Sequence, residues 1–342
     1  MDSLTQIVLG AAVGEAVAGR KMGAKAALWG AIAGTIPDLD VFITAFYHPI
    51  EGALLHRGFS HSILFPLVFA PLFAWLTHLL YKRKYEYRLW VLLFFLGIIT
   101  HPLLDIFTNY GTSLFWPLDT RVAINSVYVI DPLYTLPFLI TVLLAICSKK
   151  DAKWRSFINW AGIIYSSLYL IWGLLVQTSI KNNAQSYFAQ SGVKAERITV
   201  NAMPLTSFYW MILGEDKQHY YITYKSIFGN YNPKDVEVID KNHQLLRALK
   251  WKKEQANYPQ LLRRFSKDYY TLIKGNNYYD FYDLRFGTTT KLTNGVVSKP
   301  IYGFKLIVDN DFVNKTARVD NEKAFSSINF GAYWNYIFAK NE

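Results

Sequence analysis

The chain has 342 residues, of which 52% are hydrophobic and 18% charged, and its formal net charge is +11. A single cysteine, Cys147, excludes an intramolecular disulfide and effectively excludes a zinc–thiolate site. The Lys and Arg residues lie in short loops between apolar runs and throughout the second half. Because basic loops beside membrane spans are retained in the cytoplasm, this charge does not predict nucleic-acid binding.

The first half of the chain has the composition of a membrane domain. Long apolar runs repeat from Ile7 to about Ile180, whereas Lys181–Glu342 contains no run long enough to cross a bilayer core of about 30 Å. We therefore predict a mainly α-helical fold, with a polytopic membrane domain of five to six spans over residues 1–180 and a soluble α+β domain over residues 181–342. The candidate spans are about 5–19, 26–46, 63–81, 89–107, 128–147 and 157–179.

The first candidate span is short and rich in Gly and Ala, so it is predicted to pack closely on its neighbours or to enter the membrane without crossing it. Glu15 within it is predicted to pair with a nearby Lys or Arg.

Basic residues predict the orientation of the spans. They occur in three alternating loops, at Arg20, Lys21 and Lys25, at Lys82, Arg83, Lys84 and Arg88, and at Lys149, Lys150, Lys153 and Arg155. Placing these loops in the cytoplasm puts the loops at 47–62 and 108–127, and the soluble domain, on the opposite side.

The soluble half alternates two kinds of periodicity. Period-2 stretches at 219–228 and 301–308 predict strands, and stretches at 242–254 and 259–273 predict helices. No catalytic motif is recognisable in this half of the chain.

Polar residues of metal-binding type recur near the outer ends of the spans. They are Asp38 and Asp40 after Pro37, His56, Arg57, Ser60 and His61 in the loop 47–62, His101 and Asp105 four positions apart, and Asp131. The four-residue spacing places His101 and Asp105 on one helix face. Neutral imidazoles and carboxylates are ligands of zinc and similar ions, and a bound ion would offset the cost of burying them.

We therefore expect His56, His61, His101, Asp105 and one or both of Asp38 and Asp40 to hold one or two divalent ions, most simply Zn²⁺. Each of these groups of candidate ligands also has a purely structural interpretation. Asp38 and Asp40 could cap a helix or pair with Arg57, and a His-x-x-x-Asp spacing on a helix is common by chance.

The same residues resemble the YdjM-type family of membrane-bound, metal-dependent hydrolases. The resemblance covers roughly the first 135 residues and rests on the following motifs: MDSLTQ at the N-terminus, Pro37-Asp38-Leu39-Asp40, HRGFSHS at 56–62, His101 through Asp105, and Tyr110-Gly111 leading to Phe115-Trp116-Pro117. Relatives commonly have His where this chain has Gln6. That departure either removes a metal ligand or leaves Gln6 to position a water. A remoter similarity to zinc-dependent phospholipase C and P1-type nucleases points toward phosphoester hydrolysis.

The expected function is hydrolysis of a phosphoester or other ester of a lipid or envelope molecule at the outer membrane–water interface. Asp38 or Asp40 would act as general base, Arg57 would bind the phosphate, Asp131 would orient a ligand histidine, and Ser60 would contact a ligand or the substrate. The expected location is the inner (plasma) membrane of a bacterium, with the lipid bilayer as partner. Two alternatives are an ion or small-molecule transporter and a non-catalytic receptor or regulator with a structural metal.

Overall fold

The computed structural model describes residues 1–310, 312–322 and 326–340. The chain forms two compact units. The first contains Met1–Ile43, Leu55–Leu175 and Pro204–Thr206, and the second contains Thr44–Leu54, Val176–Met203 and Ser207–Glu342.

The N-terminal half is helical. In chain order it contains α1 (Ser3–Met22), α2 (Ala24–Thr35), a 3₁₀ turn (Ile36–Leu39), α3 (Asp40–Thr44), α4 (Pro49–Leu55), a second 3₁₀ turn (Phe59–His61), α5 (Leu64–Leu80), α6 (Tyr87–Asp105), α7 (Pro132–Cys147) and α8 (Lys153–Gln190). Every apolar segment predicted from the sequence is thus helical over most of its length.

Within the described residues, three helical segments are long and apolar enough to cross a membrane: Ala24–Thr44, Tyr87–Asp105 and Lys153–Gln190. A bent pair, Pro49–His61 with Leu64–Leu80, raises the number to four if it forms one span, and Pro132–Cys147 is apolar but shorter. Large apolar side chains on α5, α7 and α8 are exposed, among them Leu76, Leu136 and Phe157. These surfaces are suited to contact with lipid.

Glycines bring α1 and α2 into close contact. A Cβ atom on Gly30 would lie 2.2 Å from the carbonyl oxygen of Gly10, and one on Gly14 would lie 2.2 Å from that of Ala26. Since any larger side chain would push the two backbones apart, the small residues allow the close helix approach predicted for the first segment.

A buried ion pair joins α1 to α8. Arg155 donates from Nε to Glu15 Oε1 at 2.6 Å and from Nη2 to Oε2 at 2.7 Å. Asn159, one turn further along α8, donates to the carbonyl of Ala12 at 2.9 Å. The predicted pairing of Glu15 with a basic residue is confirmed.

The described residues of the second unit form two sheets. The first is antiparallel in the order β1-β2-β3-β4, formed by β1 (Arg197–Ala202), β2 (Tyr209–Glu215), β3 (His219–Ser226) and β4 (Val236–Asp240). The second has the order β5-β9-β8-β7-β6, formed by β5 (Lys250–Trp251), β6 (Tyr270–Lys274), β7 (Tyr278–Thr288), β8 (Pro300–Asp309) and β9 (Phe312–Arg318). In the described part of the chain after β1, helices α9 (His243–Ala248), α10 (Tyr258–Ser266) and α11 (Phe330–Ile337) accompany the sheets. Buried residues of β2, β3 and α11, including Met211, Ile222 and Tyr333, pack into a common core.

The strands predicted at 219–228 and 301–308 are confirmed by β3 and β8. The helix predicted at 242–254 is shorter than expected, since α9 gives way to β5. The helix predicted at 259–273 is wrong in its last part. Lys267 and Asp268 adopt left-handed conformations with φ of 51° and 62°, which end α10, and the β-branched and aromatic residues that follow form β6.

Candidate metal centre

Two short 3₁₀ turns and the last turns of α6 bring acidic and histidine side chains together in the first unit. The 3₁₀ turn that contains Pro37 follows α2 and carries Asp38, and a proline is suited to such a turn because it cannot continue the α-helical hydrogen bonding. The turn Phe59–His61 carries His61. His101 and Asp105 are separated by one turn of α6.

Asp38, His61, His101 and Asp105 each direct one ligand atom into a common group, and these atoms all lie within 4.8 Å of one another. Nε2 of His61 is 3.1 Å from Nε2 of His101 and 3.2 Å from Oδ1 of Asp38. Nε2 of His101 is 3.4 Å from Oδ1 of Asp38, and Oδ2 of Asp105 is 3.6 Å from both imidazole atoms. The sequence prediction named all four residues.

Hydrogen bonds outside the group indicate the tautomer of each histidine. Nδ1 of His101 lies 2.6 Å from the carbonyl oxygen of Gly34, which can only accept, so the proton belongs on Nδ1. Ser60 donates its hydroxyl proton to Oδ2 of Asp40 at 2.7 Å, and its oxygen therefore accepts from Nδ1 of His61 at 2.9 Å. By this assignment both Nε2 atoms present lone pairs to the group.

The resulting set of donors fits a divalent cation. Four electron-rich atoms converge, and a positive ion between them would remove their mutual repulsion. With ligand bonds of about 2.0–2.2 Å, the ligand atoms of a tetrahedral zinc ion are about 3.4 Å apart. The five distances that join the two imidazoles to each other and to the two carboxylates, 3.1 to 3.6 Å, match that spacing.

Asp105 is held from several sides. Its Oδ2 is buried and lies 3.1 Å from Nε of Arg57, with which it forms an ion pair. This oxygen accepts no hydrogen bond within the described residues. Its Oδ1 accepts from Nε2 of Gln6 at 3.0 Å and also contacts the α-amino group of Met1. Gln6 thus donates to Asp105, so it fixes this carboxylate from α1. Whether Gln6 also positions a water stays a prediction.

His56 and Asp40 lie beside the group of four and not in it. Nδ1 of His56 is 2.7 Å from Oδ1 of Asp40, while Oδ2 of Asp40 accepts from Ser60 and, at 3.1 Å, from the backbone N–H of Arg57. The structure therefore differs from the predicted ligand set, because these bonds occupy both oxygens of Asp40. Ser60 bridges the two sets of residues.

Arg57 is buried, and its guanidinium faces the inside of the site. It pairs with Asp105, donates from Nη1 to the hydroxyl of Thr108 at 3.1 Å and lies 5.0 Å from the centre of the Tyr110 ring. Its ion pair is with Asp105, and it bonds to Asp40 through its backbone N–H. The alternative in which Asp38 or Asp40 forms an ion pair with Arg57 therefore differs from the arrangement in the structure.

Arg121 approaches the site from the loop after Trp116-Pro117. Its Nη2 donates to the carbonyl of His56 at 2.7 Å, and its guanidinium carbon is 5.2 Å from the centre of the Tyr110 ring on which Arg57 also lies. The sequence leaves Arg121 with either a turn role or a substrate-facing one, and it does not place Tyr110 among the site residues. The Tyr110-Gly111 motif was the available signal for this part of the site.

Asp131 caps α7. Its carboxylate accepts from the backbone N–H groups of Leu133 and Tyr134 at 3.0 and 3.3 Å and from the hydroxyl of Tyr169 at 2.8 Å. A helix-end carboxylate of this kind satisfies amides that have no partner within the helix. The predicted orientation of a ligand histidine by Asp131 stays a prediction.

The apolar helices, together with the cluster of two histidines and two aspartates, identify the chain as a helical membrane protein with a candidate divalent-metal site. Residues 1–181 match the model of the family described as YdjM inner membrane protein. The match covers more than half of the chain, and the chain belongs to this family.

One relative is an uncharacterized protein of Bacillus subtilis (strain 168), YfhP. It is 27% identical over 179 residues, which make up 50% of this chain and 51% of the relative, so the chain spans about half the length of the relative it matches. No solved structure matches the chain.

Proposed function

We propose that the protein is a membrane-bound, metal-dependent hydrolase that cleaves a phosphoester of a lipid or envelope molecule at the outer membrane–water interface. The observation that carries this proposal is the convergence of Asp38, His61, His101 and Asp105, whose ligand atoms lie within 4.8 Å of one another. Carboxylates and imidazoles suit zinc and similar ions, and we propose Zn²⁺ as the simplest occupant.

His61, His101 and Asp105 are buried and would form the fixed part of the ion's environment. The side chain of Asp38 is 25% exposed, so it marks the side from which a substrate and water can approach. A divalent ion bound here would lower the pKa of a water molecule and polarise a phosphoryl oxygen.

His56 and Asp40 supply the proton transfer in this proposal. The carboxylate of Asp40 accepts from Nδ1 of His56, which leaves Nε2 of His56 able to take a proton. The oxygen of a water molecule forms a bond to phosphorus while its proton passes to this Nε2. The bond from phosphorus to the leaving oxygen then breaks, and that oxygen is protonated by the imidazolium or by solvent. Asp40 therefore acts by orienting His56 and not as the base itself.

Arg121 is a better candidate than Arg57 for contact with an anionic substrate. Arg57 is only 6% exposed and already neutralises Asp105, whereas Arg121 is partly exposed next to His56. A planar guanidinium can bind two phosphoryl oxygens at once.

The proposed setting is a multi-pass protein of five to six spans. The candidate spans in the described residues, the shorter apolar α7 and the glycine-packed α1 support this number. The basic loops favour a soluble domain outside the cytoplasm. The proposed substrate follows from this setting, since a site near the outer headgroups meets lipids and envelope molecules.

A second candidate is a non-catalytic membrane protein with a structural metal. Four protein ligands are enough to complete a tetrahedral zinc ion, and structural zinc sites have this closed form. The two candidates differ in turnover, because only the enzyme requires a position for water.

The test uses the full chain purified in detergent. Bound metal is measured by elemental analysis for the wild type, for His61→Ala and Asp105→Ala, and for the control His48→Ala. The His48 ring centre lies 4.5 Å from that of Tyr258 in the second unit. The proposal expects about one or two ions in the wild type and control and strong loss in both site variants. A panel of phosphodiesters and phosphomonoesters is then assayed with and without chelator. Unchanged metal content in the site variants would remove the basis of the proposal, and metal without turnover of any ester would favour the structural candidate.

A further inference from the structure

The second unit contains a cavity of about 460 Å³ that none of the preceding functions uses. Residues of β2, β3, the loop before β4 and α11 contribute to its wall. Those that matter for its chemistry are Tyr209, Tyr224, Tyr336, Asp235, Lys291 and Asn335. The cavity is large enough for a small organic ligand, which such sites enclose in about 300–1,000 Å³.

Three tyrosine rings in this wall are nearly parallel. The planes of Tyr209 and Tyr224 differ by 15° with centroids 5.8 Å apart, and those of Tyr209 and Tyr336 differ by 15° with centroids 6.5 Å apart. Two of their hydroxyls are bonded to other residues, because the Tyr224 hydroxyl donates to Glu237 and the Tyr336 hydroxyl donates to Asn294. Tyr209 and Tyr224 are each only 4% exposed, whereas Tyr336 is partly exposed, so the Tyr336 ring offers the cavity most of its aromatic surface.

An ion pair lies against the same rings. Nζ of Lys291 is 2.7 and 2.6 Å from the two carboxylate oxygens of Asp235, and it lies 4.7 Å from the centre of the Tyr336 ring and 5.3 Å from that of Tyr224. The charges of Lys291 and Asp235 cancel each other, but an ammonium group has three N–H donors and a carboxylate accepts several hydrogen bonds. The pair can thus bind a polar neutral group at little electrostatic cost.

Amide side chains complete the polar part of the wall. Asn232 and Asn335 both line the cavity. The Oδ1 of Asn232 already accepts from the backbone N–H of Lys234 at 3.1 Å, so its NH₂ group would donate to a ligand, whereas the Asn335 amide can donate to one hydroxyl group and accept from another. The partly exposed Tyr336 ring for C–H groups, amides for hydroxyl groups and a neutralised ion pair together match a ligand that is apolar on its ring faces and hydroxylated at its edges.

Other ligand classes fit less well. A phosphate would meet a described lining without arginine, in which Lys291 is already paired with Asp235 and the exposed Lys234 is the other cation. A quaternary ammonium group would be repelled by the ammonium of Lys291, which lies 4.7 Å from the centre of the Tyr336 ring. An acyl chain would have to bury the ion pair and the amides without hydrogen bonds. We propose that this cavity binds a neutral sugar residue of a saccharide or glycoconjugate.

The test measures sugar binding to the full chain by saturation-transfer NMR in a detergent without a sugar headgroup, since a maltoside or glucoside would compete. The probes are glucose, galactose, mannose, N-acetylglucosamine and N-acetylgalactosamine, with inorganic phosphate and choline as the competing classes. Tyr336→Ala and Asn335→Ala each alter the cavity wall, and either variant tests the proposal if the other fails to fold. Trp334→Ala is the matched control, because Trp334 is 55% exposed on the same helix and does not line the cavity.

We expect at least one sugar to bind to the wild type and to Trp334→Ala with equal affinity, and at least tenfold more weakly to Tyr336→Ala and Asn335→Ala. The proposal is overturned if no sugar of the panel binds, or if both cavity variants bind sugar as the wild type does. Binding of phosphate or choline that Tyr336→Ala abolishes, without binding of any sugar, would also overturn it.

Discussion

The Nε2 atoms of His61 and His101 face each other at 3.1 Å, and both rings direct Nδ1 away from this contact toward oxygen atoms of other residues. His101 is fixed by the Gly34 carbonyl at the end of α2, and His61 is fixed by the Ser60 hydroxyl. Two lone pairs at such a distance repel unless a positive charge lies near both. The residues behind the imidazoles therefore decide whether the four-residue group can bind an ion.

Ser60→Ala is expected to weaken metal binding although Ser60 is not itself in the group of four. The substitution removes the oxygen that accepts from Nδ1 of His61, so the ring can change its tautomer and lose its orientation. Removal of such a supporting hydrogen bond commonly costs about 10–100-fold in metal affinity. Competition with a fluorescent chelator in detergent would measure the change.

The control for this variant is Ser167→Ala, which removes an exposed hydroxyl that donates to the carbonyl of Ile163 within α8. Its metal affinity should equal that of the wild type. Equal affinities for Ser60→Ala and Ser167→Ala would contradict the tautomer assignment.

The contact between α1 and α2 is expected to be intolerant of a single methyl group. In Gly30→Ala the added carbon would lie 2.2 Å from the carbonyl oxygen of Gly10, so the helices must separate. Overpacking of this kind costs about 1–3 kcal/mol, and the apparent Tm should fall by several degrees. Because α2 also carries the Gly34 carbonyl that fixes His101, metal affinity should fall as well.

Ile32→Ala is a suitable comparison for Gly30→Ala, since Ile32 lies on the exposed side of the same helix. This variant should keep the metal affinity of the wild type. A Gly30→Ala protein with unchanged Tm and metal content would mean that the helices tolerate a wider separation than their close packing implies.

The sequence predicted much of this site because its residues carry strong local signals. Asp38, His61, His101 and Asp105 are polar residues in or beside apolar segments, and the alternation of basic loops predicted that they lie at the same end of their helices. The sequence alone could not show which of the predicted residues bind the ion and which only contact the ligands. Whether His56 and Asp40 bind the ion or each other depends on distances of a few ångströms, which the turns at 36–39 and 59–61 determine.

Prediction of the fold from the sequence was limited in the same way. Apolar length predicted the positions of the helices in the first half, but left-handed conformations at Lys267 and Asp268 ended a helix that periodicity alone would have continued into β6. Neither residue is a glycine or an asparagine, the residues that most often signal such an ending.

The ion pair between Glu15 and Arg155 is expected to contribute strongly to stability only while both partners are present. Arg155→Ala leaves a buried carboxylate without its partner, and removal of one member of a buried pair costs about 3–5 kcal/mol. The double substitution Glu15→Leu with Arg155→Met should recover most of the lost Tm, because both charges are then removed. Lys21→Ala is the control, since its pair with Glu86 is exposed and should have no measurable effect. A double variant as unstable as Arg155→Ala would contradict this explanation.

Glu237 is expected to make the stability of the second unit depend on pH. Its carboxylate accepts from the hydroxyls of Tyr224 and Thr290, both at 3.0 Å, and burial raises its pKa above the usual value. The folded state therefore holds the proton more tightly than the unfolded state. This contribution is fully present below the ordinary glutamate pKa of about 4.3 and is lost as pH rises through the raised pKa.

The glutamine side chain of Glu237→Gln cannot ionise. The Tm of this variant minus the Tm of the wild type should therefore increase between pH 4.5 and pH 7.5. Differential scanning fluorimetry of the full chain at several pH values measures this difference. Glu254→Gln removes the same charge from an exposed position, and its Tm difference should stay constant over the same range. A Glu237→Gln difference that decreases with pH would mean that the hydroxyl donors stabilise the ionised carboxylate by more than its burial costs.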